Sequence, residues 1–297
     1  MPRAVLIFNP AASRADPDVL RTVSRELGRE GWDVDIAGTT RSGDAAEFAR
    51  QAAADAVDVV AVYGGDGTVM QAVGGLVGHG IPLALIPGGT GNLLAGNLRL
   101  PRNPAAAARV IAGGRPRRID LGRVDRPGGP QYFAVACGTG LDAELMAGTT
   151  MDAKRRWGMA AYAATLWNAL PHLKSVPHRI TVDGVTNEAE AATVLVANCG
   201  EIIPRVLRLK KGIALDDGVL DVMVLNARSP LEAVEVLWNL VWGGNGRGGQ
   251  IWHAQGRCVT VETPNPRPVE LDGDAYGTTP FTAEVIAGAV AVLVPAD

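Results

Sequence analysis

Hydrophobic and polar positions change rhythm once along this chain, near residue 113. Before that point short apolar runs alternate with segments of helical spacing. Ala4-Val-Leu-Ile-Phe8 reads as a buried strand, Asp16-Pro-Asp18 opens a helix that runs to about Arg29, and Asp33-Val-Asp-Ile36 is a second strand followed by a helix to Asp55. Two more apolar runs, Val57 to Tyr63 and Ile81 to Ile86, each stop at a glycine-rich bend. After the first bend Val69, Val73, Leu76 and Val77 resume helical spacing. Strand and helix in alternation through residue 112 predict a doubly wound, Rossmann-like α/β domain.

Beyond Gly113-Gly114 strand-like segments dominate: Arg118 to Val124, Gln131 to Cys137, Arg179 to Val182, Thr193 to Asn198, Val219 to Asn226, Gln255 to Thr263, Val269 to Asp272 and Thr282 to Ile286. Many short strands with turn signals predict a β-sandwich. The expected division is an α/β domain over 1–125 and a β-sandwich domain over 126–287. The pattern leaves open whether the last strand, Val290 to Val294 within 288–297, returns to the first domain. Between the early β strands, Asp152 to Leu170 carries the basic head Lys154-Arg-Arg156 and an apolar stripe, Met159, Tyr162, Leu166 and Leu170. That pattern suits a membrane-surface helix, but core helices share it, and a helix packed on the sandwich with solvated cations is the favoured reading. Trp238, Trp242 and Trp252 flank Gly243 to Gly249, which reads either as the border of an apolar entrance or as a plain connection.

The two bends carry the candidate chemistry. Gly64-Gly65-Asp66-Gly67-Thr68 lies between a buried strand and a helix, so backbone N–H groups can approach a ligand unobstructed and the helix adds its unpaired amides and positive dipole end. Such a corner suits phosphate. Asp66 would repel phosphate unless a divalent cation lay between them, so the corner asks for a metal as well. Pro87-Gly-Gly-Thr-Gly-Asn92 repeats the design with Thr90 and Asn92 as polar groups. Consecutive strands of one parallel sheet would put both bends on its carboxyl edge, where open α/β sheets bind ligands.

Composition narrows the classes. With 47% hydrophobic and 20% charged residues there is material for packed cores rather than disorder. A net charge of −3 argues against a nucleic-acid partner, which would require a basic footprint. Cys137, Cys199 and Cys258 are odd in number and widely spaced, which fits reduced thiols in a cytoplasm. No apolar stretch approaches the roughly 20 residues of a membrane span, so the expectation is a cytoplasmic protein, at most peripheral at a membrane. Every lysine lies at or beyond Lys154, and the glycine-rich half therefore has neither a Walker A lysine nor a kinase strand lysine. Phosphates there must be met by amides, arginine and metal. Gly-x-Gly-x-x-Gly is missing at both bends, which disfavours a dinucleotide dehydrogenase.

With Gly64-Gly-Asp-Gly-Thr68 and Pro87-Gly-Gly-Thr-Gly-Asn92, the chain resembles the diacylglycerol kinase catalytic-domain family, which includes bacterial lipid kinases and sphingosine and ceramide kinases. The resemblance spans nearly the whole chain and implies ATP and Mg²⁺ as cofactors and a lipid alcohol as acceptor. It also implies peripheral contact with the membrane holding that lipid, and family precedent points to a homodimer. ATP would be cradled by Asn9, Pro10, Ala11, Ala12 and Ser13, by Thr39, by Gly64, Gly65, Asp66, Gly67, Thr68, Val69 and Met70, and by Gly89, Thr90, Gly91 and Asn92. Ser13 stands where glycine is usual, and Met70, Gln71 and Leu93 where Asn, Glu and Asp are frequent. Thr39 stands four residues before Gly43-Asp44-Ala45, as the family's nucleotide-contacting threonine does; its other reading is a loop hydroxyl near a helix cap.

In the second half, Ala214-Leu-Asp-Asp-Gly-Val-Leu-Asp221 resembles the family's metal loop, in which the Asp217 carboxylate and the carbonyls of Ala214 and Val219 would hold Mg²⁺. The Asp-Gly dipeptide alone reads equally as a hairpin turn. Asp272-Gly-Asp274 occupies the place of the family's Asp-Gly-Glu, which makes Asp274 the expected general base, with Asp66 as the second catalytic carboxylate beside the metal. The rivals are a soluble-substrate kinase of the NAD-kinase type and a nucleotide- or lipid-binding homologue without catalysis.

Overall fold

The structure is a computed structural model that describes residues 1–126, 128–140, 175–203, 207–209, 212–226, 232 and 251–296. The stretch 152–170, Lys210-Lys211, Trp238, Trp242 and the 243–249 glycine run lie outside the described residues. The chain divides into two compact units, Met1–Ile119 with Gly288–Asp297, and Asp120–Ala287.

The first unit begins with β1 (Arg3–Phe8), α1 (Pro17–Arg29), β2 (Asp33–Gly38), α2 (Asp44–Ala54), β3 (Val59–Gly64), α3 (Asp66–Leu76), β4 (Leu83–Pro87), α4 (Leu93–Asn97) and α5 (Pro104–Gly113). β1 pairs in parallel with both β2 and β3, and β3 with β4. The order β2-β1-β3-β4 reverses direction between β1 and β3, so the loops after those two strands diverge and leave a crevice at the carboxyl edge. β3 is buried at every position, which explains an apolar run without alternation. Val59, Ala61 and Tyr63 meet Val23 and Leu27 of α1 and Ala107, Ala108 and Ile111 of α5. α2 and α3 pack on each other so closely that a Cβ on Gly75 would sit 2.5 Å from the Ala46 carbonyl oxygen. Asp16 caps α1 by accepting the Asp18 amide, Asn103 caps α5 by accepting the Ala106 amide, and proline follows each cap, as helix starts favour.

The second unit is antiparallel. Its strands are β5 (Arg115–Arg126), which the chain enters from the first unit, β6 (Gly129–Phe133), β7 (Ala136–Thr139), β8 (Val176–Val182), β9 (Val185–Ala191), β10 (Thr193–Ala197), β11 (Glu201–Ile203), β12 (Leu207–Arg208), β13 (Leu220–Leu225), β14 (Ile251–Gly256), β15 (Cys258–Glu262), β16 (Pro268–Leu271), β17 (Asp274–Thr278) and β18 (Phe281–Val294). One sheet runs β14-β13-β10-β7-β16-β17; in the other, β9, β8, β15 and the first part of β18 lie in that order, with β5 beside β18 and β6 beside β5. Phe133, Ile180, Val194, Val196, Leu220, Val222, Val259, Val261 and Phe281 fill the space between them, so this unit is a β-sandwich. Phe133 lies over its cross-strand partner Gly122, where a Cβ would fall 1.9 Å from the ring. The far end of β18 pairs in parallel with β4 through Val292 and Leu83, and residues from Gly288 onward group with the first unit.

Several strand expectations need correction. Gln255 to Thr263 is not one strand: β14 belongs to one sheet and β15 to the other, because the Asp183 carboxylate takes the amides of Arg257 (2.9 Å) and Cys258 (2.8 Å) and turns the backbone there. Gln131 to Cys137 is likewise broken at Ala134-Val135, whose amides go to the Asp272 carboxylate. Phe281–Val294 is a single long strand in place of the two separate pieces expected. The unit boundary falls at 119/120, inside β5, where the sequence pattern placed it near 125.

Candidate functional site

Three loops meet at the carboxyl edge of the parallel sheet. The register that sets Gly64 beside Pro87 brings both bends to the same side, and the Gly88 amide donates to the Gly64 carbonyl at 2.9 Å. A Cβ on Gly89 would lie 2.6 Å from the Gly65 Cα, so the two backbones touch and only glycine fits at position 89. Gly65 is the N-cap residue of α3 and supplies no side-chain cap, which leaves the first amides of that helix facing the edge without a competing oxygen from the cap residue.

The Asp66 carboxylate accepts the Leu93 amide at 2.6 Å and so holds the second bend to the start of α3. Its other oxygen lies where a Cβ on Gly91 would meet it at 2.8 Å. Asn92, at φ 48°, folds back so that its carboxamide accepts the Gly89 amide (2.9 Å) and donates to the Gly89 carbonyl (2.7 Å), closing the second bend on itself. Asn9 donates from its amide side chain to the Thr68 hydroxyl (2.8 Å) and accepts the Ala11 amide (2.9 Å). The Arg14 amide donates to the Gly88 carbonyl at 3.1 Å, and the Ser13 and Thr90 hydroxyls are 2.9 Å apart. Asn9, Ser13, Gly64, Gly65, Asp66, Thr68, Gly89, Thr90, Gly91 and Asn92 therefore form one connected constellation.

Thr39 is buried beside it, with its amide on the Phe8 carbonyl at 2.8 Å. The reach-back to the loop after β2 comes from Asp44. Its carboxylate takes the Thr40 and Arg41 amides and the Thr40 hydroxyl, which hold it well below the usual carboxylate range. Gln71, a departure from the resembled pattern, accepts the Gly43 amide (2.9 Å) and donates to the Ser42 hydroxyl (3.2 Å), tying α3 to the loop after β2.

In the sandwich unit, Asp217 is exposed and accepts the Val219 amide at 3.2 Å. Partial burial, and then the negative Asp221 and Asp120, push its carboxyl above the ordinary value against the opposing Val219 hydrogen bond. Asp120, buried and unread in the sequence, accepts the Gly218 amide at 2.7 Å, and its own amide donates to the Leu215 carbonyl. Asp221 is buried on His253 and Gln255. The 214–219 loop therefore lies in a surplus of negative charge from Asp217, Asp221 and Asp120. Among the described residues no cluster of three or more His, Cys, Asp or Glu side chains could hold a metal.

Asp274 is exposed at the start of β17, opposite Leu271. The two residues between them, Asp272 at φ 48° and Gly273 at φ 89°, make a tight hairpin turn with left-handed backbone at both positions. Asp272 has a different job from Asp274: its carboxylate accepts the amides of Ala134 (2.7 Å), Val135 (2.8 Å) and Ala136 (2.9 Å). The Asp-Gly-Asp spacing marks the turn but does not reveal which chain segment the first carboxylate binds.

Comparison with known proteins finds a diacylglycerol kinase catalytic domain model matching residues 3–124 and a YegS C-terminal NAD kinase beta sandwich-like domain model matching 135–294. A "probable lipid kinase YegS-like" protein of Pseudomonas fluorescens is 31% identical over 299 residues, covering 99% of this chain and 96% of that one. A diacylglycerol kinase of Bacillus subtilis is 29% identical over 284 residues, covering 94% and 92%. A crystal structure of a diacylglycerol kinase from Bacillus anthracis shares the fold, with a TM-score of 0.77 at 24% identity over 98% of this chain and 96% of that one.

Proposed function

Because the chain belongs to the diacylglycerol kinase catalytic-domain family and is a lipid kinase by that membership, we propose that it transfers the γ-phosphate of ATP to the hydroxyl of a diacylglycerol-like lipid. The observation that carries this reading is the contact between the two glycine bends at Gly65 and Gly89, with α3 opening directly behind them. The two touching bends and the first turn of α3 lie together at one edge, an arrangement that would receive a polyphosphate without a lysine. In this reading loop 9–13 and Thr39 would line the sides of the site, and Ser13 and Thr90, whose hydroxyls are 2.9 Å apart, would offer them to the phosphates.

Asp66 anchors the second bend and stands beside the phosphates in this reading. Asp66, and in the sandwich unit the Asp217 carboxylate with the Ala214 and Val219 carbonyls, are the groups that would hold Mg²⁺. When bound it supplies neutralisation of phosphate charge. Asp274, exposed at the end of a two-residue hairpin, would take the proton from the lipid hydroxyl as the oxygen attacks the γ-phosphorus and ADP leaves. Catalysis rests mainly on positioning and electrostatic stabilisation during in-line transfer.

The test is transfer of label from γ-³²P-ATP, with Mg²⁺, to micellar diacylglycerol, phosphatidylglycerol or sphingoid base, with NAD as a soluble control. Label in a lipid, lost in Asp274→Ala with ATP binding retained, supports the proposal. Label in NAD and in no lipid would instead select a soluble-substrate kinase, and ATP binding without any transfer a non-catalytic homologue.

A further inference from the structure

Tyr63 stands immediately before the first glycine bend, and its side chain leaves the sheet toward the loop after β1. Its ring is buried and stacks on Phe8, with centroids 5.5 Å apart and planes 15° from parallel. Its hydroxyl is fully engaged: it donates to the Arg14 carbonyl at 2.8 Å and accepts the Asp16 amide at 3.0 Å. Asp16 is also the cap of α1, so one phenol oxygen joins the end of loop 9–16 to the start of that helix. The loop's near end is held by Asn9, whose amide reaches the Tyr63 carbonyl at 3.1 Å. Both ends of the loop thus rest on the same residue, one through its backbone and one through its side chain.

The second bend is cut to admit this side chain. A Cβ on Gly88 would fall 2.7 Å from the Tyr63 ring, so the glycine leaves the space that the ring fills. Burial pushes the phenol above its ordinary value, which keeps the proton it donates to Arg14 at any working pH. Loop 9–16 has few other holds at its far end, the Arg14 amide on the Gly88 carbonyl and the Ser13–Thr90 hydroxyl pair.

We propose that Tyr63 is a positioning residue for nucleotide: its hydroxyl latches loop 9–16 in the form that receives ATP. This rests on the reading that loop 9–13 lines the nucleotide site. Without the latch, the loop samples open forms that must close before ATP binds, which raises KM for ATP and leaves the chemical step alone.

Tyr63→Phe removes one oxygen and keeps the ring, the stack and the fit to Gly88. The expected result is a five- to tenfold rise in KM for ATP, on the order of one hydrogen bond's worth of binding, with kcat within about twofold and KM for lipid unchanged. Exchange of the Asp16 amide, whose acceptor is the phenol, should quicken at least about tenfold while core amides stay protected. An unchanged KM for ATP in a folded Tyr63→Phe protein overturns the proposal. Should that variant not fold, exchange in the wild-type protein decides: an Asp16 amide that exchanges as fast as a solvated one means no latch, and a protected one that becomes no slower on adding ATP means a latch with no role in binding. Gly89→Ala separates this from the parent reading. If it impairs ATP use while Tyr63→Phe does not, only the latch fails; if neither changes ATP use, the nucleotide site itself is misplaced.

Discussion

Gly89→Ala is the sharpest probe of the site. The added Cβ would fall 2.6 Å from the Gly65 Cα and 3.3 Å from the Asn92 side-chain oxygen. The first clash is with backbone, which cannot rotate away as a side chain can. To reach ordinary contact at 3.4 Å the two bends must part by about 0.8 Å. Their amides are held by the Gly88 to Gly64 hydrogen bond and by Asp66 on Leu93, so the parting either stretches these bonds or tilts α3. Misplacement of about 1 Å costs on the order of 100-fold in rate, and the predicted fall in kcat/KM for ATP is therefore about 30- to 100-fold. Overpacking of this kind destabilises by roughly 1–3 kcal/mol, several degrees in melting temperature. Steady-state transfer of labelled phosphate to micellar diacylglycerol, alongside calorimetry, measures both. Gly28→Ala, with nothing within 4 Å of its Cβ, is the matched control. If Gly89→Ala keeps kcat/KM within threefold of the wild type and melts at the same temperature, the contact between the bends is not what shapes the site.

Three further outcomes follow from the charged groups. Asp272→Ala strands three amides of Ala134, Val135 and Ala136 at once and should cost roughly 3–5 kcal/mol, read as an early melting transition; a shift under about 1 kcal/mol would mean water replaces the carboxylate freely. Asp217→Asn removes a carboxylate that burial, Asp221 and Asp120 disfavour, so the variant should melt higher than wild type in chelator and show no further rise on adding Mg²⁺; a Mg²⁺-induced rise as large as the wild type's places the cation elsewhere. Asp44 has a depressed folded value, so its stabilisation is full above the ordinary carboxylate value near 4 and fades as pH falls toward the lower folded one. The gap in melting temperature between wild type and Asp44→Asn should be constant from pH 7 to about pH 5 and narrow below pH 4, and a gap that widens in acid would reverse the assignment.

The legible parts of this chain were those in which one local signal decides the structure. Asp16-Pro17 begins a helix because cap and proline act within a single turn, and β3 and β4 are plain because strands covered on both faces need no polar positions. The glycine bends were readable for the same reason, since only glycine lets the backbones approach there. Failures occur where a distant group decides. Asp183 breaks 255–263 into strands of two different sheets from 74 positions away, and nothing near Arg257 announces it. β9 and β17 expose most of their residues, so neither carries an apolar alternation. Asp272 and Asp274 differ by two positions and look alike, yet only the fold brings three amides to the first. Gln71 looked like a missing acid until its two hydrogen bonds to the loop after β2 were visible.

These distant constraints bear on how a site without lysine can work. A lysine adjusts its reach through four rotatable bonds, and a phosphate bound by one tolerates small errors in the backbone around it. Backbone amides have no such freedom, so a site that relies on them must place each loop before the ligand arrives. In the nucleotide reading, that demand explains why so many side chains here bind backbone rather than each other: Asn9 on Ala11, Asp66 on Leu93, Asn92 on Gly89, Gln71 on Gly43 and Tyr63 on Arg14 and Asp16. Each is uncharged except Asp66, and each lies within or next to a loop that faces the sheet edge. The expected consequence is graded: loosening one hold raises KM for nucleotide by a modest factor, whereas forcing the two bends apart at position 89 disturbs every amide together and should cost far more.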